Sequence, residues 1–380
     1  MRTMSTFPGR FFSSQSTTSC QSDKLCDRIS DSIVDFLLEV DPIARVSCDV
    51  AIGNNLIAIL GEISSQVNPP YSDIVRTVIE ETGYLPETGF DLEKCSIVTS
   101  ISEQSPDIAR ALDHPQSDML PAGDTCTVVG FACTDTPEFM PAPISLAHRL
   151  CRGLESLRRD GSLSFLRPDG KAEVTVEYSR GSPLRVSRVT LLAQHEPSIE
   201  IVELREQLKK SLIEPTLTDY LDSQTLIYIN PTGRFVEGGP EADSGMTGRK
   251  NLVDTYGGMA RGGGGALSGK GPSKIHRVGT YLARHIAKSI VATGLAKHLE
   301  VRLTYAIGLA KPLAVDAFSY GTSDLSDERL ASLITQKFDV RPGAAIEKFS
   351  LRNPIYYQTA CFGHLGRPDI EFPWERTEPI

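Results

Sequence analysis

The chain has 380 residues and a formal net charge of −9, with 40% hydrophobic and 23% charged residues. These are the proportions of an ordinary soluble globular protein of two or three domains, and the acidic excess argues against a general nucleic-acid binder. No apolar run approaches the ~20 residues of a membrane-spanning helix, and Met1 to Phe12 lacks the apolar core of a signal peptide, so a cytoplasmic protein is expected.

In chain order, Ser22 to Val40 reads as an amphipathic helix, with Leu25, Ile29, Ile33 and Leu37 four residues apart and Ser22 as its N-cap. Arg45 to Ile52 and Leu56 to Ile63 read as strands around a Gly53-Asn54 turn, and Tyr71 to Thr82 as a helix. Ser96 to Ile101 is a short strand. The polar stretch from Ser102 to Ala122 has few periodic apolar positions, and a connection of that length is more often functional or mobile than structural. A helix follows at Ile144 to Arg159, then a hairpin of Ala172 to Tyr178 and Leu184 to Leu192 around Arg180-Gly181, a helix at Ile199 to Leu212 and a strand at Thr225 to Asn230.

Residues 231–274 carry the densest chemical signal. Pro231-Thr232-Gly233-Arg234-Phe235, Thr247-Gly248-Arg249-Lys250 and the run Gly262-Gly263-Gly264-Gly265-Ala266-Leu267-Ser268-Gly269-Lys270 lead to Pro272-Ser273-Lys274. Glycines let successive backbone N–H groups converge on an anion, and Arg234, Arg249, Lys250, Lys270 and Lys274 add fixed positive charge, a combination suited to a chain of phosphates. Gly264 to Lys270 fits G-x-x-x-x-G-K, but Gly271 follows where the P-loop needs a Mg²⁺-binding hydroxyl. Pro272 suits a first helical position, and Ile275, Val278, Leu282, Ile286 and Ile290 continue with helical spacing, so a helix N-terminus faces the glycine loop. Strands at Val301 to Gly308 and Ala314 to Ser319 and a helix at Asp327 to Phe338 complete the chain. Hairpins and helices mix without a βαβ rhythm, which predicts an α+β fold with antiparallel or mixed sheets, and three rounds of hairpin plus helix suggest a diverged internal repeat. The eight cysteines include no C-x-x-C pair, so reduced thiols are expected rather than a disulfide framework or a zinc site.

Gly123-Asp124, Met140-Pro141-Ala142-Pro143, Leu166-Arg167-Pro168-Asp169, Asn230 to Phe235, Val253 to Arg261, Ser268-Gly269-Lys270 and Tyr305-Ala306-Ile307-Gly308 are long motifs, and together the chain resembles the S-adenosylmethionine synthetases from Phe12 to Glu375. The resemblance implies three similar α+β domains in a pseudo-threefold arrangement, built from non-contiguous segments: 1–19 with 135–238, 20–107 with 239–278, and 108–134 with 279–380. It implies adenosyl transfer from ATP to the sulfur of L-methionine, with triphosphate released and cut to pyrophosphate and phosphate, Mg²⁺ and K⁺ as ions, and a homodimer or dimer of dimers with active sites at the interface. On this resemblance Lys171, Arg249, Lys250 and Lys270 hold phosphates, and Asp124, Asp169 and Gly170 contact the nucleoside with Arg234, Phe235 and Ala266 beside it. Glu62, Gln104, Asp243 and Lys274 hold the methionine ammonium and carboxylate, and Ile307 lines its apolar side. Gln21 stands by the departing oxygen with Lys171, Arg249, Lys270 and Lys274 around the reacting centre, Asp23 and Asp49 are the metal carboxylates, and residues 104–114 match a mobile loop over the site.

The chain departs from the family pattern S-E-G-H-P-D-K, which here reads Ser19-Cys20-Gln21-Ser22-Asp23-Lys24 after Thr18. Gln21 replaces a histidine, Ser19 and Gln15 replace glutamates, His276 and Gly271 replace aspartates, and Asp49 shortens a glutamate. Carboxylates are lost around the phosphates while cations stay. Gln21 donates a neutral hydrogen bond but no charge, and His276 is a poor ligand for magnesium. Cys20 reads as a small buried side chain. Two other functions fit this pattern: a paralogue with another amino-acid-like acceptor or phosphate donor, and a weakly catalytic ATP-binding regulatory subunit.

Overall fold

The computed structural model describes residues 7, 9–84, 86–88, 90–103 and 119–380. Among the described residues eleven strands form three sheets, and each sheet draws on separated stretches of chain. The first has the order β1-β6-β7-β8, from Phe11–Thr17, Leu166–Ser179, Ser182–His195 and Leu226–Ile229. The second has the order β4-β3-β2-β9, from Ser96–Ser102, Leu56–Ser64, Arg45–Gly53 and Gly245–Met246. The third has the order β11-β10-β5, from Ala314–Phe318, His298–Tyr305 and Cys126–Cys133. Neighbours are antiparallel except β3 with β4 and β7 with β8, so the fold is α+β with mixed sheets in three units.

One helix covers an inner face of each sheet. Helix α1, Ser22–Val40, packs on β2 and on α2, Tyr71–Thr82. Helix α3, Ala142–Arg159, lies across β1 and β6. The predicted helix at 199–212 divides into α4, Ile201–Leu208, a wider π turn at Lys209–Ile213 and a short turn at Glu214–Leu217. Pro215 cannot donate to the regular ladder, which accounts for the irregular end. Helix α5, Ile275–Ala292, packs on β5 and β10. It comes so close that a Cβ at Gly130 would lie 2.0 Å from the Ala283 carbonyl. Helices α6, Asp327–Lys337, and α7, Pro342–Lys348, follow. No helix among the described residues is long and apolar enough to cross a membrane.

The C-terminal segment locks onto α5. Trp374 stacks between Tyr281 and Phe372, with ring centroids 3.8 and 4.7 Å away, and its indole N–H donates to the His364 carbonyl. Glu375 accepts two bonds of 3.0 Å from the Arg284 guanidinium and one of 2.7 Å from Lys288. The same guanidinium donates to the carbonyls of Phe131, Glu138 and Phe139, tying the tail to the end of β5. Burial would raise the Glu375 carboxyl, but Arg284 and Lys288 outweigh it and hold it at about 2, below the usual 4.5.

A depressed carboxyl contributes stability above its unfolded pKa and loses it as pH falls through the folded one. The Glu375 contribution is therefore present above about pH 4.5 and vanishes toward pH 2. At ~1.4 kcal/mol per pH unit it amounts to roughly 3 kcal/mol. Urea unfolding across this range should show Glu375→Gln less stable at pH 7 by about 3 kcal/mol, with a shallower acid limb than the parent protein.

Candidate functional site

Asp23, Asp27, Asp31 and Asp35 recur every four residues on α1 and therefore share one face. Each accepts main-chain N–H bonds from a distant segment. Asp23 accepts from Met246 at 3.0 Å, Asp27 from Gly248 at 2.8 Å and Asp31 from Gly269 at 2.8 Å. Asp35 accepts from Tyr356 and Tyr357 at 2.9 and 2.8 Å. Three of these tethers hold the two ends of the glycine-rich basic segment. Cations complete the ladder: Lys250 and, at 3.5 Å, Arg249 on Asp23; Lys24 on Asp27 at 2.7 Å and on Asp254; Arg277 on Asp31 at 2.6 and 3.0 Å. Burial pushes the Asp27 carboxyl up, with Lys24 opposing. Burial also raises Asp35 to about 7, against the two amide bonds it accepts.

The anticipated residues fall into two groups. The first surrounds the start of α1. Lys250 and Arg249 pair with Asp23 there. Asp169 lies close enough to feel Asp243, which raises its carboxyl, and Lys250, which lowers it; burial is the larger cause and leaves it raised. Asp169 accepts from Gly239 N–H at 2.9 Å, and Asp243 N–H donates to the Gly239 carbonyl. Gly170 is needed by packing, since a Cβ would stand 2.6 Å from Leu154, and Lys171 follows it opposite Thr17. Gln21 is the N-cap of α1, in place of the predicted Ser22: its side-chain oxygen accepts from Asp23 N–H at 3.0 Å. The Ser22 backbone is already helical, and Gln21 alone stands at the extended entry position. With its oxygen committed, Gln21 presents its NH₂ to Asp23 at 3.4 Å and to the open side.

The second group surrounds the start of α5, which begins at Ile275 with Lys274 as N-cap, three residues beyond the predicted Pro272. The delay follows from pairing: Gly271 N–H donates to Val46 and Cys48 N–H to Gly269, so residues 269–271 extend the sheet beside β2. Gly269 makes this possible at φ +77, with the Cys48 carbonyl 1.9 Å from where a Cβ would stand. Lys270 therefore sits opposite Ser47, and directly opposed residues share a face. Its amine is lowered by burial and by Lys274, while Asp49 and Asp124 oppose. His276 places Nδ1 3.6 Å from Asp124, and its ring fills the space beside Gly265, where a Cβ would come within 2.1 Å. Burial first, then Lys270, hold the imidazole below its usual pKa, so it is neutral at pH 7. Ala266 packs where a Cβ on Gly248 would intrude, joining the two halves of the segment.

The register sets Lys270 and the residues that line the hollow beside Arg249 on one exposed sheet face. Lys270, Ser47, Glu62 and Ser102 form one row, Asp49, Leu60 and Ser100 the next, and Met246, Ala51, Ala58 and Val98 the row nearest Arg249. Ser47 and Ala51 are four residues apart, which is ~13 Å along a strand. Leu56, Leu60, Val98 and Met246 on this face are 45–50% exposed. Arg234 and Phe235 lie on the turn after β8, where Phe235 is fixed by reciprocal bonds of 3.0 Å with His195. Ile307 is exposed after β10, its N–H donating to Thr125 beside Asp124. Gln104 and the 104–114 loop lie outside the described residues. Cys20 is fully buried, its thiol pushed up to about 11 by burial, as an inert packing residue. Sequence reading passed over Lys24, Asp27, Asp31 and Arg277, although the four-residue aspartate spacing was there to be read.

Sequence models of three domains match this chain consecutively: the S-adenosylmethionine synthetase N-terminal domain over residues 9–106, its central domain over 119–235 and its C-terminal domain over 237–376. A curated S-adenosylmethionine synthase of Desulforudis audaxviator is 47% identical over 378 residues, covering 97% of this chain and 96% of the relative. Another, of Clostridium tetani, is 45% identical over 381 residues, covering 96% of each.

If the buried aspartates position the basic segment, removing one leaves a cation stranded. Asp31→Ala should destabilise the protein by about 3–5 kcal/mol, the range for a broken buried ion pair, measured by urea unfolding. An effect below 1 kcal/mol would show that the tether is dispensable.

Proposed function

The chain belongs to the S-adenosylmethionine synthetase family, and from that membership we propose how its residues divide the labour of joining the methionine sulfur to C5′ of ATP. The observation that carries the reading is the pair of cationic groups, both fixed by carboxylates or sheet pairing, at the two ends of one exposed face.

A thioether sulfur carries no proton, so the attack needs no general base. The barrier lies in the charge that gathers on O5′ and the triphosphate as the C5′–O bond breaks and the C5′–S bond forms in line. Fixed cations and donors meet that charge without reorganising. Lys171, Arg249 and Lys250 from the first group and Lys270 from the second take the phosphates. Gln21 offers its amide N–H to O5′, the oxygen side of its amide being held by the helix. Asp124 and Asp169, with Gly170, Arg234, Phe235 and Ala266 nearby, bind the nucleoside. Asp243, Glu62, Gln104 and Lys274 match the charges of the amino acid, with Ile307 against its side chain. The triphosphate is released and then cut to pyrophosphate and phosphate.

The residues present do not fit a preformed magnesium centre. Both oxygens of Asp23 are engaged, by Met246 N–H and Lys250, and His276 offers a neutral imidazole turned to Asp124. Magnesium prefers oxygen ligands, so we propose that it enters only on the phosphates of ATP. Asp49, the carboxylate expected at K⁺, faces Lys270, which already opposes its charge.

The exposed apolar face supports a homodimer. Its leucines, Val98 and Met246 would be covered by a two-fold copy, since an isologous contact uses one patch twice. The copy would set one chain's Lys270 group against the other's Arg249 group, closing the ~13 Å gap into an interfacial site. The three sheets, assembled from separated segments, support the division 1–19 with 135–238, 20–107 with 239–278, and 108–134 with 279–380. A cytoplasmic location is proposed from the family membership alone.

Purified protein given ATP, Mg²⁺ and L-methionine should yield S-adenosylmethionine by mass spectrometry. Lys270→Met should lower kcat by about 10²–10³, the cost of one lost transition-state stabiliser. Leu60→Glu should give a folded monomer by light scattering that makes no product. ATP binding without product in the parent protein, or an active Leu60→Glu monomer, contradicts the proposal.

A further inference from the structure

Away from this site, the end of β5 and the start of β10 bring together a group that the reaction does not use. Cys133 and His298 stand directly opposite each other in the β5–β10 register, and opposed side chains share a face. Asp135, two residues on, turns back toward them. One ligating atom from each of the three lies within 4.8 Å of the others. Cys133 is fully buried, and the side chains of His298 and Asp135 are 4% and 1% exposed.

Hydrogen bonding leaves the imidazole without a partner, while the Cys133 thiol sits against Asp135. Neither ring nitrogen of His298 has a hydrogen-bond partner. Its Nε2 stands 3.9 Å from Asp135 Oδ1, beyond hydrogen-bonding range. The other carboxylate oxygen, Oδ2, is occupied: it accepts from the Tyr178 hydroxyl at 2.6 Å and from Ala142 N–H at 3.3 Å. Asp135 is thus oriented from behind, with Oδ1 turned to the histidine and the thiol. Phe7 closes the outer side, its ring edge-on to His298 at 5.7 Å. An unpartnered buried imidazole is costly, and a neutral imidazole is the form that ligates metal.

We propose that Cys133 Sγ, Asp135 Oδ1 and His298 Nε2 bind one Zn²⁺. Thiolate, imidazole and carboxylate together suit zinc, whose bonds of about 2.0–2.3 Å put tetrahedral ligands ~3.5 Å apart. The three atoms close by about 1 Å to meet that geometry, and a water molecule takes the fourth position. The thiol gives up its proton to solvent as the Zn–S bond forms. Tyr178 belongs to β6 in the first sheet and the two strands to the third, so the ion with its supporting hydroxyl joins two units of the fold.

The test is to strip the full-length protein with a chelator and titrate it with Co²⁺ in excess Mg²⁺, which occupies phosphate-type sites. A thiolate-to-cobalt charge-transfer band with tetrahedral d–d bands should saturate at one ion per chain. Cys133→Ser and His298→Gln should each abolish the charge-transfer band or its tetrahedral pattern, and Zn²⁺ should displace cobalt and raise the melting temperature of the parent protein alone. No band in the parent, a band that survives Cys133→Ser, or no melting shift with Zn²⁺ overturns the proposal. Should a variant not fold, X-ray absorption on the zinc-loaded parent decides: a shell of one sulfur with nitrogen and oxygen supports the site, and a shell of oxygen alone or of several sulfurs refutes it.

Discussion

A row of carboxylates on one helix holds the cationic segment in place, and the rest of the site depends on it. Arg249, Lys250, Lys270 and Lys274 would repel one another on a free loop of glycines. The aspartates of α1 remove that freedom by accepting the N–H groups of Met246, Gly248 and Gly269. Charge on the acceptor makes each such bond stronger than a neutral one. Glycine at 248 and 269, both with positive φ, lets the backbone turn toward the carboxylates where a side chain would be strained.

The ladder is graded. Asp27 and Asp31 are fully buried and paired with the buried Lys24 and Arg277, so they serve the fold. Asp23 is at the mouth, and the cations it holds reach solvent: Arg249 is half exposed and Lys250 one-fifth exposed. An arriving triphosphate can therefore compete for Lys250 and Arg249 without disturbing the deeper pairs. On the proposed assignment, Asp23, which holds both cations, is the carboxylate with which the phosphates compete. At the second group His276 faces Asp124.

Much of the fold was legible because amphipathic period and turn residues act locally. The helix at 22–40 has the bounds read from leucine and isoleucine spacing, and the helix at 71–82 also has the bounds read from the sequence. The β6–β7 hairpin is longer at both ends than its alternation suggested, since Leu166 to Gly170 pairs across a register shift that hides the period. Cys126–Cys133 was passed over as a strand: it is nearly all buried, so it lacks the polar alternation that marks a one-sided strand. The basic segment stood out from composition alone. What places it did not, because an aspartate every four residues reads as a solvated helix face unless the partner 220–240 residues away is known. The Cys133–Asp135–His298 group was invisible for a similar reason, since only strand register brings positions 133 and 298 together.

A crystal structure of the protein with a non-hydrolysable ATP analogue and methionine tests the account most directly. The account predicts the triphosphate between Arg249 and Lys250 of one chain and Lys270 of a two-fold partner, with the Lys250–Asp23 contact released and the bonds from Asp27 and Asp31 to Gly248 and Gly269 intact. A nucleotide bound within a single chain away from these cations, or a basic segment that leaves α1 when the nucleotide binds, would contradict it.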